Sequence, residues 1–295
     1  MYVVTTPTGQ IGSLVLAQLL AGNVPVRVVV RDPAKLPAAV RDRVEVVEGS
    51  HRDAGVVARA FDGAEAVFWL PPPSPRAARV EDAFVGFSAA ACRALPGSGV
   101  RRVVGVSALG RGTPLARRAG HVTASLAMDD AFAATGVPYR ALALPSFMDN
   151  LLRQTRRIRE ENRFLTMISP SLKSPACAVR DIARAAVAQL RDASWTGFGE
   201  VPVLGPEDLS FDEMAGIMSE VLARPVRCER VAPDVFRARL VVAGMSEAMA
   251  QAQVEMALAK DAGLDNAVTR TPQTSSPTTF RTWCQEVLRP AVTAA

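Results

Sequence analysis

The sequence predicts an α/β protein, with a doubly wound parallel-sheet domain at the front of the chain and a smaller C-terminal α/β lobe behind it. Three observations predict this. Tyr2 to Val4 is a short apolar run that enters a glycine-containing turn, after which Ile11, Leu14, Val15 and Leu19 fall at helical spacing. β-branched runs then alternate with helical periodicities across the first 150 residues, the pattern of parallel strands joined by right-handed crossovers. Beyond residue 150 the alternation loses its regularity. The expected division is 1–150 for the first domain and 151–295 for the lobe, with a return of the chain to the first sheet around 175–205 left open.

The opening stretch, YVVTTPTGQIGSLVLAQLL, reads as strand, turn and helix. A diphosphate is held by bare backbone N–H groups at the positive end of a helix, where a side chain at the closest approach would block it. Gly9 and Gly12 meet that need, one by admitting the ligand to the backbone and the other by letting helix and strand pack closely. Thr6 stands where a G-x-x-G-x-x-G pattern expects its first glycine. The candidate cofactor loop is therefore Thr6, Pro7, Thr8, Gly9, Gln10, Ile11 and Gly12, in the first unit of a Rossmann domain.

The second strand, Val24 to Val30, ends at Arg31-Asp32-Pro33. Arg31 lies 19 positions beyond Gly12, close to the roughly 20 at which such a unit meets the adenosine ribose. An acid there would read the free 2′-hydroxyl of NAD. Arg31 suits a 2′-phosphate through forked, charge-assisted hydrogen bonds, which favours NADP over NAD. Asp32 before Pro33 reads as a turn or helix cap. After a third strand at Val44 to Val47, Ser50 and His51 are expected beside the adenine, although a lone loop histidine also fits solvated surface.

The fourth strand, Ala66 to Leu70, runs into PPPSP. Ligands in open α/β sheets sit outside the carboxyl ends of the strands, so Leu70, Pro71 and Pro72 are expected to wall the cofactor. Ser74 would frame a substrate entrance, and Trp69 would stack on an aromatic substrate or enter the core. The same prolines also fit a rigid linker before a helix from about Arg76 to Leu95. The fifth strand, Arg101 to Ser107, is followed by a helix from about Leu115 to Thr135 carrying His121, Ser125 and Asp129. A sixth strand, Val137 to Leu144, leads to Pro145, Phe147, Met148 and Asn150. Pro145 and Phe147 are expected near the nicotinamide, and Phe147, Met148 and Asn150 near the substrate. In the second half, Ser210 and Glu213 form a capping box that opens an amphipathic helix to Leu222. A substrate pocket is expected between the two parts.

Composition narrows the classes. No apolar run approaches the roughly 18 residues of a membrane span, and no charged leader precedes the first strand. Cys92, Cys177, Cys228 and Cys284 form no C-x-x-C pair, so reduced structural thiols in a cytoplasmic protein are expected and no metal site is. The net charge of +5 is dispersed. The densest cluster, Arg153, Arg156, Arg157 and Arg159, alternates with Leu152 and Ile158 as a solvated helix face does, so no nucleic-acid partner is expected. A monomer or homodimer is expected.

Several stretches together resemble the NmrA-like proteins, an atypical branch of the short-chain dehydrogenase/reductases. They are TPTGQIG, VRVVVRDPAKL, FDGAEAVFWLPPP, VRRVVGVSALG, ATGVPYRAL with FMDN, AVRDIARAAV and GPEDLSFDEMAGIMSEVLARPVR, in matching order and spacing. The resemblance implies a Rossmann domain binding NADP or NAD and a small substrate lobe. It leaves open reductases of quinones, aromatic ethers or other hydrophobic substrates and regulators that sense the cofactor without turnover. The chain departs from the pattern at Thr6, at Ser50 where an Asp is frequent, and at Ala143 and Leu144 where Arg and Pro occur.

The largest departure concerns catalysis. Carbonyl reduction requires a hydride donor and a proton or hydrogen-bond donor for the developing oxyanion. Typical members use Tyr-x-x-x-Lys on the helix after the fifth strand, with a serine at that strand's end. Here the only tyrosines are Tyr2 and Tyr139 and the only lysines Lys35, Lys173 and Lys260. His121 and Ser125 hold the Tyr and Lys positions, four apart on one helix face. An imidazole titrating near ~6.5 suits general acid work, and Ser107 would hydrogen-bond the substrate oxygen or contact the cofactor. A histidine at a helix start also fits a cap or surface role. Three functions follow: an NADP-dependent reductase of a small hydrophobic molecule, a non-catalytic cofactor sensor, or a redox-neutral enzyme on the same fold.

Overall fold

The computed structural model describes residues 1–294. The valine-rich runs of the first half become β1 (Tyr2–Thr5), β2 (Val26–Val30), β3 (Glu45–Glu48), β4 (Ala66–Trp69), β5 (Arg102–Ala108) and β6 (Tyr139–Leu144). Among the described residues these and the strand Phe198–Pro202 form a seven-stranded sheet in the order Phe198–Pro202, β6, β5, β4, β1, β2, β3. β1 pairs in parallel with both β2 and β4, β2 with β3, and β4 with β5. The chain thus moves outward from β1 to β3 and resumes on the other side of β1 at β4. That reversal defines the crevice in which an open α/β sheet takes its ligand, and the fold is the doubly wound Rossmann type.

The chain divides into two interleaved units. The first comprises Met1–Ala108, Ala124–Ala143 and Ile182–Val201; the second comprises Leu109–Thr123, Leu144–Asp181 and the chain from Pro202 on. The division is drawn through several crossings, where the sequence suggested a boundary at residue 150 with a return to the first sheet around 175–205 left open. Phe198–Pro202 is the reason, since it returns to the edge of the large sheet.

In the first unit, Val3, Val67, Val103, Phe61, Phe87, Trp69, Phe132 and Tyr139 form one buried cluster. Two buried arginines fasten helix ends to the sheet. Arg27 in β2 donates through Nη1 to the carbonyls of Ala60 (2.8 Å) and Asp62 (2.5 Å) at the end of the helix Ala54–Phe61. It also pairs with Glu45 on β3 at 2.8 Å. Arg102 in β5 donates to Leu190 O at 2.8 Å and to Glu65 at 2.8 Å. Both supply cations to helix carboxyl ends, whose last carbonyls lack partners within the helix.

In the second unit, Met148, Phe164, Met214, Met218, Phe280 and Trp283 build a separate core. The strand Arg163–Thr166 pairs in parallel with Arg227–Arg230. The expected capping box is present: Glu213 N donates to Ser210 Oγ at 3.1 Å and Ser210 N to Glu213 Oε2 at 2.9 Å. The helix Phe211–Leu222 starts there. Among the described residues no helix is long and apolar enough to cross a membrane.

Two long helices expected from periodicity are interrupted. The stretch 76–95 becomes Val80–Ala83 and Val85–Ala94, broken at Phe84 (φ −117°, ψ −79°). Phe84 and Val85 both pack on the first core. The stretch 115–135 becomes the 3-10 turn Pro114–Arg118 and the helix His121–Ala133. Gly120, at φ +53°, lies between them, and a Cβ there would come 2.0 Å from Ala252 O.

Candidate cofactor site

The crevice outside β1 and β4 is assembled within the first unit. The helix Gln10–Ala21 begins at Gly9 with no side-chain cap and no acidic residue in its first turn. The amides of that turn therefore face the crevice without an internal anion, the condition a diphosphate requires. Gly12 sits so close to the end of β1 that a Cβ would lie 2.1 Å from Thr6 O, whereas one on Gly9 would lie 3.3 Å from the same atom. Gly12 thus sets the contact between helix and strand, and Gly9 keeps the helix mouth bare. These residues fit a dinucleotide diphosphate.

Thr6 adopts the left-handed conformation its glycine counterpart would take freely, at φ +50°. That costs a non-glycine residue about 1 kcal/mol. Neighbouring bonds hold it there: Gly9 N donates to Thr6 O at 3.0 Å, and Thr6 Oγ1 lies 3.5 Å from Leu70 O. Thr5 stitches the two strand ends, donating to Phe68 O at 3.0 Å and accepting from Leu70 N at 2.9 Å. Leu70, Pro71 and Pro72 are half-buried beside this turn, Pro7 and Ile11 are buried, and Thr8 and Gln10 are exposed.

On the adenosine side, Arg31 is exposed at the end of β2. Asp32 accepts from Ala34 N at 3.0 Å, capping a 3-10 turn as its place before Pro33 predicts. Ser50 Oγ accepts from Arg52 N at 3.2 Å and so serves its own turn. Ser74 lines a cavity of about 400 Å³ with Arg52, Pro75, Arg76, Ala77, Ala78 and Asp82. Arg52 and Arg76 were not singled out from the sequence. Their only signal was two more arginines in loops that follow strands three and four.

His51 is a correction. It is buried, not solvated, and it presents no ring edge outward: its ring packs edge-on against Trp69 (5.1 Å) and Phe87 (4.7 Å), and Nε2 lies 3.2 Å from Leu70 O. Burial, with the nearby charge of Arg31 adding to it, lowers its pKa to about 4 against the opposing bond to Leu70, so it is neutral at pH 7. It supports the Leu70 turn from below. Trp69 is corrected in the same way, being wholly buried with Nε1 donating to Ser88 Oγ at 2.9 Å, where no substrate can stack on it.

At the end of β5 lies a buried polar group of four. Asp129, fully buried, accepts from Tyr139 Oη at 2.7 Å and from Ser107 Oγ, and Ser107 Oγ is 3.5 Å from Ser125 Oγ. Gly105 makes room for it, because a Cβ there would fall 1.9 Å from Tyr139 Oη. Ser125, expected near the substrate, is buried at 6% exposure within this group. Asp129 continues the four-residue spacing of His121 and Ser125, and that spacing was the signal for it.

His121 opens the helix His121–Ala133, with Nε2 3.2 Å from Met249 O. A carbonyl only accepts, so this bond holds the proton on Nε2, and burial lowers the ring's pKa. A neutral ring whose N–H is held by the main chain is a structural tie. His121, expected as general acid, is thus half-buried with its Nε2–H committed to Met249 O. Met148 is buried in the core of the second unit, not on a pocket wall. Phe147 is half-buried on the short strand Ser146–Phe147, Pro145 is buried and Asn150 is exposed. All four cysteines are free, and among the described residues no cluster could hold a metal.

A β1–β4 switch point, an uncapped helix mouth set by Gly12 and a cation after β2 define a dinucleotide-binding Rossmann protein. Residues 7–193 match the model of the NAD(P)H-binding family. The chain belongs to that family. It is 32% identical over 299 residues to the (4-alkanoyl-5-oxo-2,5-dihydrofuran-3-yl)methyl phosphate reductase of Streptomyces griseus subsp. griseus, covering 97% of each chain. It is 27% identical over 256 residues to the NAD(P)H azoreductase of Xenophilus azovorans, covering 87% of this chain and 86% of that one. The fold superposes on Citrobacter sp. triphenylmethane reductase complexed with NADP(H) at a TM-score of 0.77 and 23% identity, covering 96% of this chain and 98% of that one.

Proposed function

We propose that this protein is an NAD(P)H-dependent reductase, that NADPH is its preferred reductant, and that its substrate is a small hydrophobic molecule with a conjugated, electron-poor centre. The observation that carries the reading is the bare helix mouth at Gly9 and Gly12, in a chain alignable along 97% of its length with a named reductase. The amides of Gln10, Ile11 and Gly12 hold the diphosphate. Arg31 faces the 2′-phosphate, and Arg52 and Arg76 add positive charge to the cavity beside Ser74. Leu70, Pro71 and Pro72 form a stiff wall that limits water.

Bound reduced nicotinamide supplies a hydride. The helix His121–Ala133 carries neither Tyr nor Lys, and His121 has its N–H on Met249 O. The chain's residues therefore favour acceptors whose reduced anion is delocalised and takes its proton from water: quinones, enones, azo compounds and acyl-butenolides. A simple ketone leaves a localised alkoxide that needs a positioned acid. The named activities of the two curated relatives support that class.

The test is NADPH oxidation by the purified protein with a panel of quinones, enones, azo dyes and acyl-butenolides, set beside simple ketones. Turnover of conjugated acceptors with ketones inert is expected. Ketone reduction at comparable rates would overturn the substrate class. The missing Tyr and Lys also favour a second reading, a cofactor sensor without turnover, and the result that selects it is tight NADPH binding with no oxidation by any acceptor.

A further inference from the structure

The buried group at the end of β5 has a polarity that the reductase reading alone does not use. A carboxylate only accepts hydrogen bonds, so the hydroxyls of Tyr139 and Ser107 both spend their hydrogens on Asp129. The serine at the end of this strand then has no hydrogen left for a substrate oxygen. It keeps lone pairs, and those can only accept.

Its position says what it meets. Trp69 on β4 pairs with Gly105 on β5. Ser107, two residues on toward the carboxyl end of β5, is level with the place of Pro71 and on the same face of the strand as Gly105. Rigidity follows from the packing. Tyr139 is stacked on Phe132 at 5.1 Å, and its hydroxyl occupies the space that Gly105 leaves empty. Asp129 is thus held at one oxygen and itself holds Ser107 at the other.

We propose that Ser107 is a hydrogen-bond acceptor for an N–H or O–H group of the nicotinamide half of the cofactor, and that Asp129 is the positioning residue that fixes this polarity. The inference rests on the reductase reading for its ligand, but it concerns binding and needs no turnover. It also replaces the expectation that Ser107 donates to substrate. Asp129→Asn reverses the polarity. The amide oxygen still accepts from Tyr139, but the NH₂ now donates to Ser107, whose hydrogen is released toward the crevice.

The experiment measures NADPH affinity of the full chain by protein fluorescence, with melting temperatures in parallel, for wild type, Ser107→Ala, Asp129→Asn and the double variant. The 3-acetylpyridine analogue of NADPH, which carries a methyl in place of the amide NH₂, is the second probe. Ser107→Ala is expected to weaken NADPH by about 3- to 10-fold, the loss of one neutral hydrogen bond. Asp129→Asn should match it, and the double variant should add nothing, because both act on one bond. If the donor is the carboxamide, wild type prefers NADPH over the analogue and Ser107→Ala loses that preference. If it is a ribose hydroxyl, the variant weakens both probes equally. Should Asp129→Asn not fold, the Ser107→Ala comparison decides alone. Wild-type binding that Ser107→Ala leaves unchanged overturns this proposal and spares the reductase reading, whereas a wild type that binds no NADPH overturns both.

Discussion

Substituting Gly12 by alanine tests the cofactor site at its tightest point. The added Cβ would lie 2.1 Å from Thr6 O, 2.8 Å from Thr6 C and 3.1 Å from Thr5 O, all main-chain atoms that cannot rotate away. Relief requires the start of the helix Gln10–Ala21 to move off β1 by about 1 Å, since carbon and oxygen do not tolerate less than about 3 Å. Overpacking of this kind costs about 1–3 kcal/mol, and the better helix propensity of alanine returns about 1 kcal/mol. With about 2.1 cal/mol/K of unfolding entropy per residue, a net cost of about 0–2 kcal/mol lowers the melting temperature by about 0–3 °C. The effect on NADPH is larger. A helix mouth displaced by that distance loses at least two charge-assisted bonds of about 1.5 kcal/mol each, or about 100-fold in affinity. At a concentration of about 100 times the wild-type Kd, ligand stabilises wild type by about 2.7 kcal/mol, a rise of about 4 °C, and the variant by less than 1 °C. Thermal unfolding with and without NADPH reads both numbers. Gly9→Ala is the control, because its Cβ meets Thr6 O at a tolerable 3.3 Å and yet fills the ligand's approach. It should melt near wild type and still lose the NADPH shift. A Gly12→Ala protein that keeps the full rise of about 4 °C would refute the geometry assigned to the diphosphate.

Three further outcomes follow. His51 has its pKa lowered to about 4 in the folded chain against an unfolded value near 6.5. Its contribution is therefore complete above pH 6.5 and is lost as pH falls toward 4, amounting to about 3 kcal/mol over that window. Urea unfolding at pH 7.5 and 4.5 should show a smaller acid loss in His51→Gln, and an equal loss in both proteins would contradict the burial argument. Arg31→Ala should weaken NADPH by about 10- to 100-fold and change NADH by less than about 3-fold, the signature of a lost contact to the 2′-phosphate. Equal losses for both cofactors would move the 2′-phosphate elsewhere, with Arg52→Ala and Arg76→Ala the next variants to titrate. Gly105→Ala places a Cβ 1.9 Å from Tyr139 Oη, beneath a ring stacked on Phe132 at 5.1 Å, and should cost about 2–3 kcal/mol. Adding Tyr139→Phe removes the clashing oxygen, so calorimetry of the double variant should show less than the sum of the single losses.

The parts of this molecule written in short-range pattern were legible in the sequence. β1 to β6 follow from β-branched runs, the helix Phe211–Leu222 from its capping box, and the cofactor turn from Gly9 and Gly12. What the sequence withheld depends on contacts between distant residues. His51 looks like a loop histidine because nothing local reveals that Trp69 and Phe87 will enclose it. His121 resembles a proton donor by position alone. Its partner, Met249 O, is a main-chain atom 128 residues away and has no sequence signature. Gly105 is the converse case. An isolated glycine in a strand pattern marks a close approach, and the approaching group proved to be the hydroxyl of Tyr139. A return to the first sheet around 175–205 was left open by the sequence, because a strand as polar as FGEVP carries little hydrophobic signal to place it.

The polar groups around the switch point are satisfied by the protein itself. Thr5 Oγ1 bonds Phe68 O and Leu70 N, while Thr6 Oγ1 and His51 Nε2 both approach Leu70 O. The rim of the crevice is therefore held in place by bonds that owe nothing to a ligand, and the left-handed strain at Thr6 is borne by the same set. The first turn of the helix Gln10–Ala21 holds no acidic residue and no side-chain cap, and Arg31 is exposed. A site arranged this way spends little of its binding energy on ordering itself, so the affinity of a dinucleotide reports the contacts made to it. That separates the roles of neighbouring residues. Changes at Thr5 or His51 act through stability and shift both reduced cofactors together, whereas changes at Gly9 or Arg31 act on ligand contacts with the rim intact.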